Sequence, residues 1–335
     1  MLKTILEPLK ADLDRVNECI ERECHCAHSE LLKSLLKHTF SVRGKLLRPA
    51  IALCSAHITG GCSDDRPILI AAGLEILHTA SLVHDDIIDN GSYRRGQTTV
   101  NEAWGVGEAT LLGDWLLAKS FDLMVRTEHP GIIHGMTVLT EELTEGQFLE
   151  MELSSQRPSE RDYLKMIDLK TSSLFRRACS FGAMLATQDP LIHNQLLGFG
   201  SSFGLYFQII DDLLDVLKAP QEILKSSQLD IKNGLKTLPI LKGLEIELRL
   251  NKTILHNALE NGVDTSFLKS LPDYLNELGV VEMCLKEAAR HRDRCTQYLD
   301  NFPSSRYKIL LLSLLDLIQD QINPANARSQ EEGSS

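Results

Sequence analysis

Two acidic clusters of one pattern, Asp85-Asp86-Ile87-Ile88-Asp89 and Asp211-Asp212-Leu213-Leu214-Asp215, interrupt otherwise apolar helical segments. In a helix, residues four apart share a face, so Asp85 with Asp89, and Asp211 with Asp215, project together. Carboxylates crowded into a poorly solvated site repel one another or take up protons unless a cation lies between them. Oxygen-only donors suit hard divalent ions. Mg²⁺ in particular uses one or two carboxylates and completes its octahedron with water and substrate phosphates. The alternative, two solvated acidic faces, fits poorly with flanking sequence such as Ser-Leu-Val-His and Phe-Gln-Ile-Ile.

Basic groups complete the pattern. A glycine-bounded loop after the first cluster carries Arg94 and Arg95, Lys45 and Arg48 stand in Gly44-Lys-Leu-Leu-Arg48-Pro49, Lys170 precedes Thr171, and Lys225 follows the second cluster. Arginine's planar fork matches phosphate bidentately. Each cation alone reads as a surface charge. Acidic groups for metal together with basic groups for phosphate imply a diphosphate substrate.

The elements that must position these residues read as helices throughout. Apolar 3–4 spacing runs over 2–36, 68–88, 110–125, 132–151, 163–185, 194–217 and 238–248, and recurs within 266–322. Strand-like alternation is hard to find. Breaks fall at Gly60-Gly61, Gly91 to Gly96, His129-Pro130-Gly131, Arg157-Pro158 and Asp189-Pro190. No linker divides the chain, which predicts one all-α domain over 1–322 and a polar, disordered tail over 323–335.

Composition sets the wider bounds. The chain has 335 residues, 43% hydrophobic, with a net charge of −11, which argues against nucleic acid as a partner. For anionic substrates that charge must be offset by metal and by local Lys and Arg. The N-terminal apolar residues are spaced as an amphipathic helix rather than a signal peptide, and the apolar tract 309–318 is too short to span a bilayer. The expectation is a cytoplasmic protein without a transmembrane segment, touching a membrane peripherally if its product is lipophilic. Eight cysteines without disulfide-like spacing suit a reducing compartment. Cys24-His25-Cys26-Ala-His28 invites a zinc reading, but Cys24 and Cys26 point to different helix faces, which favours an ordinary helix.

Several blocks closely resemble the signatures of trans-isoprenyl diphosphate synthases (polyprenyl synthetases) of the medium- and long-chain type. They are GKLLRP (44–49), LEILHTASLVHDDIID (74–89), RRGQTTVNEAWG (94–105), GDWLLAKSF (113–121), LKTSSLF (169–175), YFQIIDDLLD (206–215) and DIKNGLKTLP (230–239). The resemblance implies a single large helical bundle around a deep central cavity, assembled as a homodimer. It implies that Asp85, Asp86 and Asp89 hold two Mg²⁺ ions and that Asp211, with Asp212 and Asp215, holds a third; Mn²⁺ could substitute. Arg94, Lys170, Lys225, Thr171 and Gln208 would contact the allylic diphosphate (farnesyl or geranylgeranyl), and Lys45, Arg48, His78 and Arg95 that of isopentenyl diphosphate. Two positions depart from the family pattern: Leu46 replaces a basic residue, and Leu235-Lys236 replaces the Lys-x order of the late block, so Lys236 either takes over that phosphate contact or the contact is missing.

The implied reaction is ionisation of the allylic C–O bond, attack by the isopentenyl double bond, and proton loss to the released diphosphate, inside apolar walls that exclude water. The product would run along the helix that ends in Asp85. One helical turn rises about 5.4 Å, near the span of an isoprene unit, so Ala80 and Ser81, then Leu77, then Gly73 or Leu74 act as depth marks. None is aromatic, which predicts an open tunnel and roughly six to eight units (C30–C40), a length suited to a quinone side chain. Phe121 and Met124 are candidates for the floor. The alternatives are a shorter-chain farnesyl or geranylgeranyl synthase, or a non-catalytic partner subunit of a heteromeric enzyme. A class I terpene synthase would lack the second Asp-rich cluster.

Overall fold

The computed structural model describes residues 1–61, 63–154, 158–217, 237–262 and 265–322. Helices dominate: α1 Leu2–Ile5, α2 Lys10–His25, α3 Glu30–Thr39, α4 Leu47–Ile58, α5 Arg66–Ile88, α6 Val100–Ala103, α7 Val106–Val125 and α8 Pro130–Ser154. There follow α9 Glu160–Ile167, α10 Ser173–Ala186, α11 Pro190–Leu217, α12 Leu238–Leu250, α13 Ile254–Asn261, α14 Thr265–Glu277, α15 Val280–Asp300 and α16 Arg306–Asp320. The described chain groups into two compact units. The first comprises Met1–Thr140, Leu174–Gly200 and Asn301–Leu311; the second comprises Glu141–Ser173, Ser201–Asp300 and the chain from Leu312. The polar tail 323–335, Lys225 and Lys236 lie outside the described residues.

The first unit is built on α5, which starts with Pro67 in its first turn, where a missing N–H costs nothing, and buries Ile70, Ala71, Ala72 and Leu74 completely. By length and composition this helix could cross a bilayer, but 67% of its most apolar window is buried inside the fold, as in a core helix. It packs against α2, α4 and, most extensively, α7. Small residues allow that last contact: a methyl group at Gly73 would lie 2.7 Å from Met124 Cε, and one at Gly113 would lie 2.2 Å from His84 Nε2. The continuous helical spacing expected over 2–36 is broken twice. Pro8 opens a 3₁₀ turn at Glu7–Leu9, and Ser29 starts a new helix by accepting the Leu32 N–H at 3.4 Å.

The chain is not wholly helical, contrary to the expectation from its spacing. Tyr93–Arg94 (β1) pairs antiparallel with Gln97–Thr98 (β2) in a two-residue hairpin. Its turn residues, Arg95 (φ 52°) and Gly96 (φ 77°), both have positive φ, as a type I′ turn requires.

In the second unit a capping box between Ser159 and Asp162 starts α9. The helix expected over 163–185 is interrupted by a π-helical turn at Asp168–Ser172, which carries Lys170 and Thr171. Glycines on two helices accept this wide turn. A methyl at Gly146 of α8 would lie 2.6 Å from Lys170 N, and one at Gly204 of α11 would lie 2.4 Å from Ser172 Cα. Because those atoms are backbone, Gly204→Ala is expected to shift the turn at a cost of about 1–3 kcal/mol. Urea denaturation checks this, and an unchanged midpoint would show that the turn relaxes freely.

Candidate active site

In each acidic cluster the middle carboxylate is buried and the outer ones are more exposed. Asp86 is 5% and Asp212 4% exposed, whereas Asp89 and Asp211 lie at the surface and Asp85 and Asp215 are half-buried. Helix geometry explains this: with Asp85 and Asp89 on one face, Asp86 is turned about 100° toward the interior. A buried carboxylate needs a partner. Asp86 receives Arg94 Nε on both oxygens, at 2.9 and 3.0 Å. Burial still holds the Asp86 carboxyl above its usual range, against the lowering effect of Arg94. Asp212 accepts the Tyr163 hydroxyl at 2.6 Å and the Gln208 amide at 2.6 Å. Thr171 in turn donates to Gln208 Oε1 at 2.9 Å.

The basic residues divide by unit. In the first, a cavity of about 160 Å³ is lined by His78 and Glu75 of α5, by Arg94 and Arg95, and by Arg43 and Gly44 of the loop before α4. Arg48 stacks over Phe175, 4.7 Å from the ring centroid, and Lys45 is exposed beside Gly44. Leu46 takes up a left-handed conformation (φ 50°) immediately before α4. Gly44 lies close to both groups: a methyl there would lie 2.8 Å from Glu75 Oε1 and 3.2 Å from Arg95 Nη1. Glu75 is a buried carboxylate whose pKa is pushed up by burial, with Arg48 and Arg95 opposing. The same burial, reinforced by Arg48, Arg95 and Arg94, holds the His78 imidazole well below its ordinary pKa and therefore neutral.

In the second unit Lys170 is ion-paired with Glu150 of α8, and Gln147 donates to the same Glu150 oxygen at 2.9 Å. Glu75, Glu150 and Tyr163 are the site residues that sequence reasoning missed. Glu150 had a readable signal, the helical run Gly146-Gln-Phe-Leu-Glu150 between apolar turns. Glu75 and Tyr163 had none, because a lone Glu or Tyr in an apolar helix reveals its partners only in three dimensions.

The depth marks separate onto two faces of α5. Gly73 and His84 contact α7, and Leu77 and Ala80, both buried, share their stripe at 3–4 residue spacing. Ser81 is half-buried on the stripe that leads to Asp85. Met124 is fully buried against Gly73, and Phe121 is half-buried.

Among the described residues no three His, Cys, Asp or Glu side chains form a ready-made metal cluster. The all-oxygen donors of the two motifs fit a hard divalent ion of the Mg²⁺ type, which takes few carboxylates and relies on water and phosphate oxygens for the rest. At the former zinc candidate, Cys24 and His25 close α2 and Cys26 caps it.

A family model described as polyprenyl synthetase matches residues 29–275. The chain is 32% identical over 319 residues to an all-trans-nonaprenyl-diphosphate synthase (geranyl-diphosphate specific) of Rhodobacter capsulatus, covering 95% of this chain and 97% of the relative. It is 36% identical over 232 residues to a geranylgeranyl diphosphate synthase of Sulfolobus acidocaldarius, covering 67% and 70%. Among solved structures, a polyprenyl synthase from Caulobacter crescentus complexed with calcium and isoprenyl diphosphate superposes with a TM-score of 0.87 at 28% identity, covering 95% and 97% of the two chains.

Tyr163→Phe removes a buried hydrogen bond to a carboxylate and is expected to cost about 1.5–3 kcal/mol, measured by urea denaturation. A second expectation concerns pH. Below the ordinary His pKa of 6.5 the unfolded chain takes up a proton that folded His78 refuses, so this residue makes stability fall as pH drops. His78→Gln should flatten the fall in melting temperature between about pH 7.5 and 5.5; an unaltered slope would place the titration elsewhere.

Proposed function

The chain belongs to the polyprenyl synthetase family of prenyltransferases, and from that premise we propose that it extends an allylic diphosphate with isopentenyl diphosphate into an all-trans polyprenyl diphosphate. The observation that carries this reading is the repeated arrangement in which a buried aspartate anchors each acidic motif to a phosphate-binding segment. Asp86 is anchored to Arg94, and Asp212 is linked through Gln208 to Thr171 beside Lys170.

Asp85 and Asp89, with Asp211 and Asp215, are the carboxylates that would hold Mg²⁺, while Asp86 and Asp212 orient their motifs. Bound there, the metal would neutralise charge building up on the departing diphosphate. Arg94, Lys170 and Thr171 bind and orient the allylic diphosphate so that its C–O bond breaks heterolytically. Glu150 keeps Lys170 aligned until phosphate competes for it. Arg48, His78 and Arg95 set the isopentenyl diphosphate with its double bond toward the allylic carbon. The new C–C bond forms there, and the resulting cation loses a proton to the released diphosphate.

The product has roughly six to eight isoprene units, on the ruler of about 5.4 Å per turn along the Ser81 stripe. Relatives carrying both nonaprenyl and geranylgeranyl names leave four units as the specific competitor. A quinone side chain, peripheral membrane contact for release and a cytoplasmic site belong to the same reading; the seven described cysteines are all free, in keeping with a reducing compartment. Exposed apolar side chains, Leu111 on α7 and Phe148 with Met151 one turn apart on α8, support a homodimer.

Incubation with farnesyl diphosphate, excess isopentenyl diphosphate and Mg²⁺, read by mass spectrometry, is expected to give one product of about six to eight units. A product stopping at four units would establish the shorter-chain reading, and no Mg²⁺-dependent product would favour a non-catalytic subunit. Asp85→Ala and Asp211→Ala are each expected to reduce turnover by at least about 100-fold while leaving the melting curve intact. Ser81→Phe should shorten the product, whereas Ala80→Phe, at a buried position, should chiefly disturb packing.

A further inference from the structure

The cavity of the first unit brings together arginines that differ sharply in what holds them. Arg94 is paired with Asp86, whose side chain is 7% exposed. Arg95 and Arg48 flank the buried Glu75. Arg43, on the loop just before Gly44, is ion-paired with Glu21 of α2, and both line the same cavity. This last pair is solvated: its side chains are 57% and 56% exposed.

That contrast decides which cation can be given up to an incoming anion. Removing Arg94 from Asp86 would strand a buried carboxylate, a change that costs several kcal/mol, so Arg94 meets a diphosphate through its Nη groups while Nε stays on Asp86. An exposed ion pair contributes only about 0–1 kcal/mol, and Glu21 released from it returns to water. A phosphate, in turn, offers the guanidinium two parallel charge-assisted hydrogen bonds. The loop also has room for such a role, because Leu46 supplies no charge three positions later.

We propose that Arg43 is a further diphosphate-binding residue of the cavity lined by Gly44, His78 and Arg95, held by Glu21 at rest and transferred to the phosphate of isopentenyl diphosphate on binding. This rests on the functional reading above. The pair Glu21–Arg43 is therefore a positioning device: Glu21 keeps the guanidinium over the cavity without competing strongly for it.

The test is steady-state kinetics on the full chain with Mg²⁺, varying each substrate separately, together with calorimetric titration of isopentenyl diphosphate alone. Arg43→Gln is expected to raise KM for isopentenyl diphosphate about tenfold, or about 1.4 kcal/mol, with kcat and the allylic KM changed by less than about twofold. Arg43→Lys should recover part of the loss, and Glu21→Gln should leave KM unchanged or lower it. An unchanged KM in Arg43→Gln overturns the proposal. So does a rise in Glu21→Gln equal to that in Arg43→Gln, which would make the pair merely structural. If the unaltered protein forms no product, the functional reading fails by itself. The titration then decides the binding proposal: weaker heat-detected binding in Arg43→Gln supports it, and equal or absent binding in both proteins overturns it.

Discussion

A carboxylate buried at the centre of each acidic motif is the constraint on which the site depends. An ionised group withdrawn from water is tolerated only if charged or strongly polar partners replace the lost hydration. Asp86 obtains a guanidinium and Asp212 a phenol and a carboxamide. Because Arg94 sits in the β1–β2 hairpin, satisfying Asp86 also fixes the turn that carries Arg95. Because Gln208 is bonded to Thr171, satisfying Asp212 also fixes the neighbourhood of Lys170. In each unit the acidic motif and the basic segment beside it are thus one hydrogen-bonded structure.

The same balance accounts for how a chain of net charge −11 can bind anions. Positive charge is concentrated locally, and the nearby carboxylates are arranged so that they hold the arginines without saturating them. Glu75 illustrates this: burial raises its pKa, which weakens its claim on Arg48 and Arg95. Burial, and then the charges of Arg48, Arg95 and Arg94, push the His78 imidazole well below its ordinary pKa.

Glycine sets the distances between the elements that carry these groups. Gly73 and Gly113 let α5 and α7 approach closely, and Gly146 and Gly204 admit the π-turn that displays Lys170 and Thr171. A regular α-helix through 168–172 would rotate those two side chains relative to α9, so the extra backbone width is what aims them. The two adjacent small residues on α5 differ in surroundings: Ala80 is buried, and Ser81 is half-buried on the stripe that leads to Asp85.

Helix content, the position of α5 and α11, and the identity of the acidic and basic residues were legible in the sequence, because apolar spacing and charge spacing are local properties. The hairpin at Arg94–Arg95 was hidden because two-residue strands are too short to alternate, although Arg95-Gly96 has a glycine where positive φ is needed. The π-turn was hidden because its sequence, Asp168-Leu-Lys-Thr-Ser172, keeps ordinary helical spacing. The sequence by itself determined which residue types the site contains and that cations must be recruited to them. Tertiary structure alone decided that Asp86 and Asp212 are anchors, that Glu75, Glu150 and Tyr163 hold the site residues in place, and that Arg43 faces the same cavity as His78. The reason is physical: burial, and hence the need for a partner, depends on neighbours brought from distant parts of the chain.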